Sequence, residues 1–310
     1  MYAGACPCCG GTEFAGFLPE REIAKEIDIR RNFVWKRLGR RPDSAEAMDL
    51  TEFMHGGAGR LRVCTHCGVV RREEAAAAHY EDDLYDPALI AHLYPQYLRA
   101  FREKAPHYRQ LLNERSNVIE LGSHFGAFLQ TAEEWNWRPI GVDIGAYTSA
   151  FARRQGFTVR RQSLPDFSPR GGPSDALFIW NCFEQIERPT ETLINAHRVL
   201  KPYGLLVVRV PNLSFYAGWR QRVGNRPESG AVQRLGYNNL LGFPYRFGYT
   251  SETLTRLLRR WGFEPIAHID ANLLTMPLPE MPRWVRQEYS AVRQQPADPW
   301  IEIVSRRSAA

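Results

Sequence analysis

From Asn117 to the C-terminus, short apolar runs alternate with stretches of helical periodicity, and this alternation restricts the fold more than any other feature. NVIEL (117–121), RPIGVDI (138–144), FTVRRQ (157–162), DALFIW (175–180) and GLLVVRV (204–210) have the length and composition of strands. AFLQTAEEW (127–135), YTSAFARRQG (147–156) and TETLINAHRVL (190–200) read as helices between them. Strand and helix in turn predict a mostly parallel sheet with helices on both faces. SETLTRLLRRWGF (251–263) adds a helix with Ser251 as its expected N-cap and Gly262 as its stop. FEPIAHI and WIEIVSR supply two more strands. The expected fold class is therefore α/β, Rossmann-like, with a seven-stranded sheet.

Two acids sit at strand ends in this pattern. Glu120 closes the first strand and is followed by Gly122-Ser123-His124-Phe125-Gly126, a turn leading into a helix. Asp143 closes the second strand 23 residues later, the spacing of one strand–helix–strand unit. Gly122 allows a sharp exit from the strand, and Gly126 lets the helix begin close to a ligand. Asp143 is placed to accept hydrogen bonds from the ribose hydroxyls of a nucleoside. A dinucleotide would use the same two acids, but its pyrophosphate needs a Gly-x-Gly-x-x-Gly turn, and His124 stands at the middle glycine.

The N-terminal part carries a different signal. Cys6-Pro7-Cys8-Cys9-Gly10 and Cys64-Thr65-His66-Cys67-Gly68 each hold a C-x-x-C pair followed by glycine. Two such pairs can supply four thiolates, and four thiolates suit a closed tetrahedral structural Zn2+ site. The expected ligands are Cys6, Cys9, Cys64 and Cys67, with Cys8 left over. The gap between the pairs includes REIAKEIDIRRNFVWKRLGR (21–40), read as a helical insertion. The expected organisation is a zinc-binding module over 1–75, a helical connector over 76–113 and the α/β domain over 114–310. Residues 211–249 interrupt the alternation, are rich in Gly, Asn, Pro and aromatics, and are read as a substrate lid. Their aromatics, Phe215, Tyr216, Trp219, Tyr237, Phe243, Tyr245, Phe247 and Tyr249, either wall an acceptor pocket or pack a long loop.

Charge and hydropathy narrow the function class. The net charge of +6 suits an anionic substrate, but the basic residues are scattered, and the dense run from Arg21 to Arg41 is interspersed with acids as on a solvated helix face. No apolar run is long enough to span a bilayer. The N-terminus lacks a basic segment followed by an apolar one. Clustered cysteines point to metal in a reducing compartment. A cytoplasmic protein without membrane attachment is expected.

The region from about 114 onward resembles class I S-adenosylmethionine-dependent methyltransferases, in particular the ubiquinone-methyltransferase-like group. ELGSHFGAFL is similar to that family's first motif, with His124 where a glycine is common. DALFIWNCFEQIERPTETL resembles its fourth-strand motif, with Glu184-Gln185 where many members carry Glu-His. RVLKPYGLLVVRVPN resembles its turn into the fifth strand, with Tyr203 in place of a glycine. A C-x-x-C-G module, then a tyrosine-rich stretch, then this domain resembles several bacterial sugar and small-molecule methyltransferases. The resemblance implies S-adenosylmethionine as cofactor, held by Glu120, Gly122, Ser123, Gly126, Asp143, Ile144 and Asn181, with Ile144 against adenine. It also implies an antiparallel seventh strand beside the fifth. His124 and Glu184 are the candidate catalytic groups. Each has a plain structural alternative, a tolerated loop residue and a helix-starting acid.

The implied function is methyl transfer to an oxygen, carbon or nitrogen of a small-molecule acceptor. Two alternatives stay open. One is an RNA methyltransferase recruited through the zinc module, although no aromatic-basic motif for RNA is present. The other is a non-catalytic partner that binds cofactor without turnover.

Overall fold

A computed structural model of the chain describes residues 4–26, 59–73, 87–169, 171–223, 245–269 and 300–309. Its centre is a seven-stranded sheet built from β4 (Asn117–Leu121), β5 (Arg138–Asp143), β6 (Val159–Arg161), β7 (Ser174–Trp180), β8 (Leu200–Pro211), β10 (Phe263–His268) and β11 (Trp300–Arg307). The spatial order is β10-β11-β8-β7-β4-β5-β6. β6, β5, β4, β7 and β8 pair in parallel, while β11 is antiparallel to both β8 and β10. The chain runs outward from β4 to β6 and then returns to the other side of β4 with β7. That reversal opens a crevice at the carboxyl ends of β4 and β7, where ligands of open α/β sheets bind.

The central strands are near-continuous apolar runs because both faces are covered. On β7, Leu177 and Ile179 enter one core while Ala176, Phe178 and Trp180 enter the other. On β8, Leu206, Val208 and Val210 face the first core, and Leu205 and Val207 the second. The second core is sealed by α1 (Pro87–Arg109) and α2 (Ala127–Glu134), with Phe101, Tyr108 and Phe128 packed on Phe178 and Trp180. α1 runs through Pro95 and Pro106, the two breakers of its sequence. α3 (Ala146–Arg154) connects β5 to β6, and α4 (Pro189–Val199) connects β7 to β8. No helix among the described residues is long and apolar enough to cross a membrane.

A second sheet has the order β1-β2-β3-β9, from β1 (Phe14–Leu18), β2 (Arg60–Cys64), β3 (Val70–Glu73) and β9 (Phe247–Gly248), all antiparallel. Its fourth strand comes from the far end of the chain. Cys6, Cys8, Cys64, Cys67 and Val69 share the first core with Tyr249, Leu254, Leu257 and Phe263, so the cysteine sheet is built against the large sheet's helical layer.

Two local expectations change. The N-cap of α6 (Ser251–Arg260) is Thr250, not Ser251: Thr250 and Thr253 exchange side-chain and backbone hydrogen bonds in a reciprocal cap. Residues 213–223 form a helix, α5 (Leu213–Val223), opened by the Asn212 side chain, which accepts the Ser214 N–H at 2.9 Å. Of the aromatics of 211–249, Phe215, Tyr216, Phe247 and Tyr249 are buried, in keeping with the packing alternative. Tyr216 reaches back to Glu26 at 2.5 Å, and Phe183 and Phe247 flank Tyr249. Tyr237 and Phe243, like most of the expected 21–40 helix, lie outside the described residues; the helical turns seen there cover 20–26.

Candidate functional site

The turn after β4 is locked by backbone bonds. Gly122 N–H donates to Val142 O at 2.8 Å, and Gly126 N–H donates to Ser123 O at 2.8 Å. Gly122, His124 and Gly126 all have positive φ, at 76°, 48° and 86°. His124 therefore takes a left-handed conformation that a glycine would adopt without strain. Its N–H donates to Asp143 Oδ2 at 2.7 Å. The same carboxylate accepts from Gly145 N–H at 2.8 Å and from the Thr148 hydroxyl at 3.0 Å. Asp143 thus fastens the turn after β4 to the start of α3. Ile144, the next residue, is 41 % exposed, unusual for an isoleucine at a strand end.

Glu120 is buried at the end of β4, and its Oε2 meets no donor. Burial, and then the nearby Asp143 charge, push its pKa well above the usual carboxylate range. Gly122 does not face open space: a Cβ there would lie 2.9 Å from Cys182 Sγ. At Gly126 a Cβ would strike the Phe157 ring at 2.7 Å. Ser123 turns under the loop, its Oγ 2.5 Å from where a Cβ on Gly141 would be, so only its backbone lies on the turn.

Across the crevice, Asn181 ends β7 with φ 49°. Its N–H donates to Arg209 O, its side-chain oxygen accepts from Arg209, and its carbonyl accepts from Gln185. A 3-10 turn over Phe183–Gln185 follows. Glu184 is fully buried there with no hydrogen-bond donor on either carboxylate oxygen, and burial raises its pKa to about 8. His124 packs on Phe125 and Tyr97, and desolvation lowers its pKa to about 4. Both candidate catalytic groups flank the crevice, and at neutral pH one is an uncharged carboxyl and the other an uncharged imidazole.

The four expected cysteines converge. The sulfurs of Cys6, Cys9, Cys64 and Cys67 lie within 4.8 Å of one another, with Cys6–Cys67 at 3.7 Å and Cys9–Cys64 at 3.6 Å. A tetrahedron with metal–sulfur bonds of about 2.3 Å has edges of about 3.8 Å. Gly11 N–H donates to Cys9 Sγ at 3.4 Å. Cys8 is buried outside the set, as expected of the spare cysteine. Arg260 Nη1 donates to Cys9 O, and Arg256, Arg260 and His66 line a small cavity beside Cys9 and Cys67.

One charged constellation escaped the sequence reading. Lys104 on α1 pairs with Glu302 on β11 at 2.6 Å, and both are buried. Tyr108 donates to the other oxygen of Glu302. Arg209, the direct cross-strand partner of Glu302, sits 3.9 Å from it and over the Trp300 ring. The signal was present: Arg209 and Glu302 are single charges inside the apolar runs VVRVP and WIEIV.

Residues 90–268 match the family model for the methyltransferase domain. The chain belongs to this family. Comparison with curated proteins gave no match. Among solved structures, a chain from the Haloferax volcanii complex of the Trm112 methyltransferase activator aligns with a TM-score of 0.51 and 13% identity, over 71% of this chain and 92% of that one. An S-adenosylmethionine-dependent methyltransferase from Mesorhizobium loti aligns with a TM-score of 0.47 and 18% identity, over 66% and 97%. The magnesium protoporphyrin IX methyltransferase of Synechocystis, solved with S-adenosylhomocysteine bound, aligns with a TM-score of 0.48 and 10% identity, over 74% and 91%. At these identities the likeness is one of fold. The matched segment holds six of the seven strands of the large sheet and the crevice, and it ends before β11.

Proposed function

We propose that the chain transfers a methyl group from S-adenosylmethionine to a small-molecule acceptor. The observation that carries this reading is the pair of acids at the ends of β4 and β5, brought to the switch point by a glycine turn. The buried, unpartnered Oε2 of Glu120 and the exposed Ile144 beside Asp143 fit a nucleoside with a cationic tail. Asp143 would receive the ribose, Ile144 the adenine face, and Glu120, with the backbone of Gly122 to Gly126, the remainder. Asn181, held by Arg209, would close the far side. The cofactor supplies a sulfonium, an excellent leaving group, so orientation of the acceptor does most of the catalytic work. His124 and Glu184 are both uncharged near pH 7, and a methyl acceptor that is nucleophilic without a strong base suits them. Against an RNA substrate stands the pairing of exposed cations with acids: Arg102–Glu134, Lys201–Asp175, Arg256–Glu252 and Arg259–Glu264.

The four-thiolate cluster is read as a structural zinc site. Four thiolates leave no position for a substrate, and Arg260, which donates to the Cys9 carbonyl, offsets part of the negative charge of such a centre. Calorimetry with S-adenosylmethionine, S-adenosylhomocysteine and NAD tests the cofactor. Tight NAD binding without S-adenosylmethionine binding would end this reading. Elemental analysis tests the metal.

A further inference from the structure

The cysteine cluster is joined to the crevice by an unbroken path of backbone bonds. Cys64 N–H donates to Val69 O at 3.0 Å and Gly68 N–H to Cys64 O at 2.9 Å, closing the knuckle that holds Cys64 and Cys67. β3 starts at Val70, three residues after Cys67, and pairs Val70 with Gly248 and Arg71 with Phe247. Arg72 N–H then donates to Arg246 O at 2.7 Å, and Arg72 Nε to Tyr245 O at 2.9 Å. Arg246 N–H in turn donates to Glu184 O at 2.8 Å. On the other flank, Tyr249 O accepts the Leu213 N–H at 2.8 Å, which ties the path to the end of β8. The knuckle therefore reaches the Phe183–Gln185 turn through one strand of two residues.

We infer that the four-thiolate site positions the β7 side of the crevice, so that metal occupancy sets the order of the 183–185 turn while the turn after β4 keeps its own bonds. The inference rests on the metal reading above. β9 is too short to hold a place by itself, since even an isolated hairpin is marginal. β3 holds it on one side, while the Leu213–Tyr249 bond and the buried Phe247 and Tyr249 rings hold it on the other, and β3 belongs to a small sheet of the size that relies on a staple such as a metal. The backbone bonds at Gly122, His124 and Gly126 run to β5, within the turn and to α2. The Cys182 side chain lies against Gly122 of the cofactor turn.

Hydrogen exchange on the zinc-loaded and chelator-stripped full chain tests this, with S-adenosylhomocysteine calorimetry alongside. Stripping should speed exchange at Arg72, Arg246 and Gln185 by about tenfold or more, the mark of local opening. Gly122 and Gly126 should stay protected, S-adenosylhomocysteine should still bind, and added zinc should restore the slow exchange. Zinc present but with unchanged exchange at Arg246 and Gln185 overturns the inference and leaves the metal reading standing. Absence of zinc even after incubation with a zinc salt removes both. Where stripping unfolds the whole chain, Arg246→Pro decides, because it deletes the N–H that meets Glu184 and leaves the thiolates in place. Faster exchange at Gln185 with zinc retained supports the path, and unchanged exchange there overturns it.

Discussion

The backbone N–H of His124 donates to the Asp143 carboxylate at 2.7 Å, so the residue at the turn's glycine position is held by the acid proposed to bind ribose. Asp143 also accepts from Gly145 and Thr148, so three protein donors share a group with about four lone-pair positions. The acid is pre-oriented by the protein before any ligand arrives. Its removal must then act twice, on the ligand and on the loop. Asp143→Ala is expected to weaken S-adenosylmethionine binding by about ten- to a hundredfold, from hydrogen bonds to a charged acceptor worth roughly 1.5–3 kcal/mol. It should also lower the melting temperature of the ligand-free chain. Calorimetry and thermal melts separate the two effects. A normal affinity in the variant would sink the ribose assignment.

Glu184 makes stability depend on pH. Its carboxyl titrates at about 8 in the folded chain because burial outweighs the neighbouring groups that pull the other way, the Arg209 charge on β8 among them. In the unfolded chain it titrates near about 4.3. Between these values only the folded chain holds the proton, so this contribution is complete below the unfolded value and is lost as pH rises through about 8. Glu184→Gln keeps the shape of the neutral acid and cannot ionise. The wild type should lose about 3 kcal/mol more than the variant between pH 5 and 9, below the ceiling set by about 1.4 kcal/mol for each tenfold difference in proton affinity between the folded and unfolded chain. Parallel slopes in urea melts of the two proteins across that range would show that Glu184 is not buried as a neutral group.

The centre of the large sheet was legible because both its faces are buried, so β4, β7 and β8 announce themselves as apolar runs between breakers. The two acids and the two C-x-x-C-G pairs were equally plain, because their chemistry depends on residue type at fixed spacing. Backbone conformation was not legible in that way. His124 and Tyr203 stand where the family resemblance calls for glycine, yet both keep positive φ, at 48° and 62°. A sequence pattern reports the missing glycine and not the retained conformation. α5 was overlooked although Pro211-Asn212 is a fair start signal, because its aromatic residues suggested a pocket. β9 could not have been read: it has two residues and pairs with a strand from the other end of the chain.

Gly122 offers a test of what its hydrogen atom is for. A sharp exit from the strand was the expectation, and φ is 76°, but an added Cβ would also meet Cys182, at 2.9 and 3.1 Å. Gly122→Ala should cost about 1–3 kcal/mol from strain and overpacking together. Cys182→Ala removes the sulfur and should return part of that loss, a coupling of about 0.5–1 kcal/mol in a double-mutant cycle. Strict additivity of the two changes would mean that the clash is relieved elsewhere, and the glycine would then be required for φ alone.

The buried charges between α1, β8 and β11 carry the strongest stability prediction. Glu302 is fully buried and receives Lys104 at 2.6 Å, Tyr108 on its other oxygen and Arg209 at 3.9 Å. Two cations and one anion meet in this layer, and the Arg209 charge is further spread over the Trp300 ring. Replacing Glu302 by Gln leaves Lys104 and Arg209 facing each other's charge in a dry core. Removal of one member of a buried pair typically costs about 3–5 kcal/mol, since the partner keeps its desolvation penalty without compensation. Glu302→Gln should therefore lower the unfolding free energy in urea melts by that amount, and it should disturb Asn181, whose side chain Arg209 holds at the crevice. Lys104→Met combined with Glu302→Gln removes one of the stranded cations and should be less harmful than Glu302→Gln alone. If the double variant is the less stable of the two, the penalty does not come from stranded charge, and the network contributes through packing of the Lys104 stem instead.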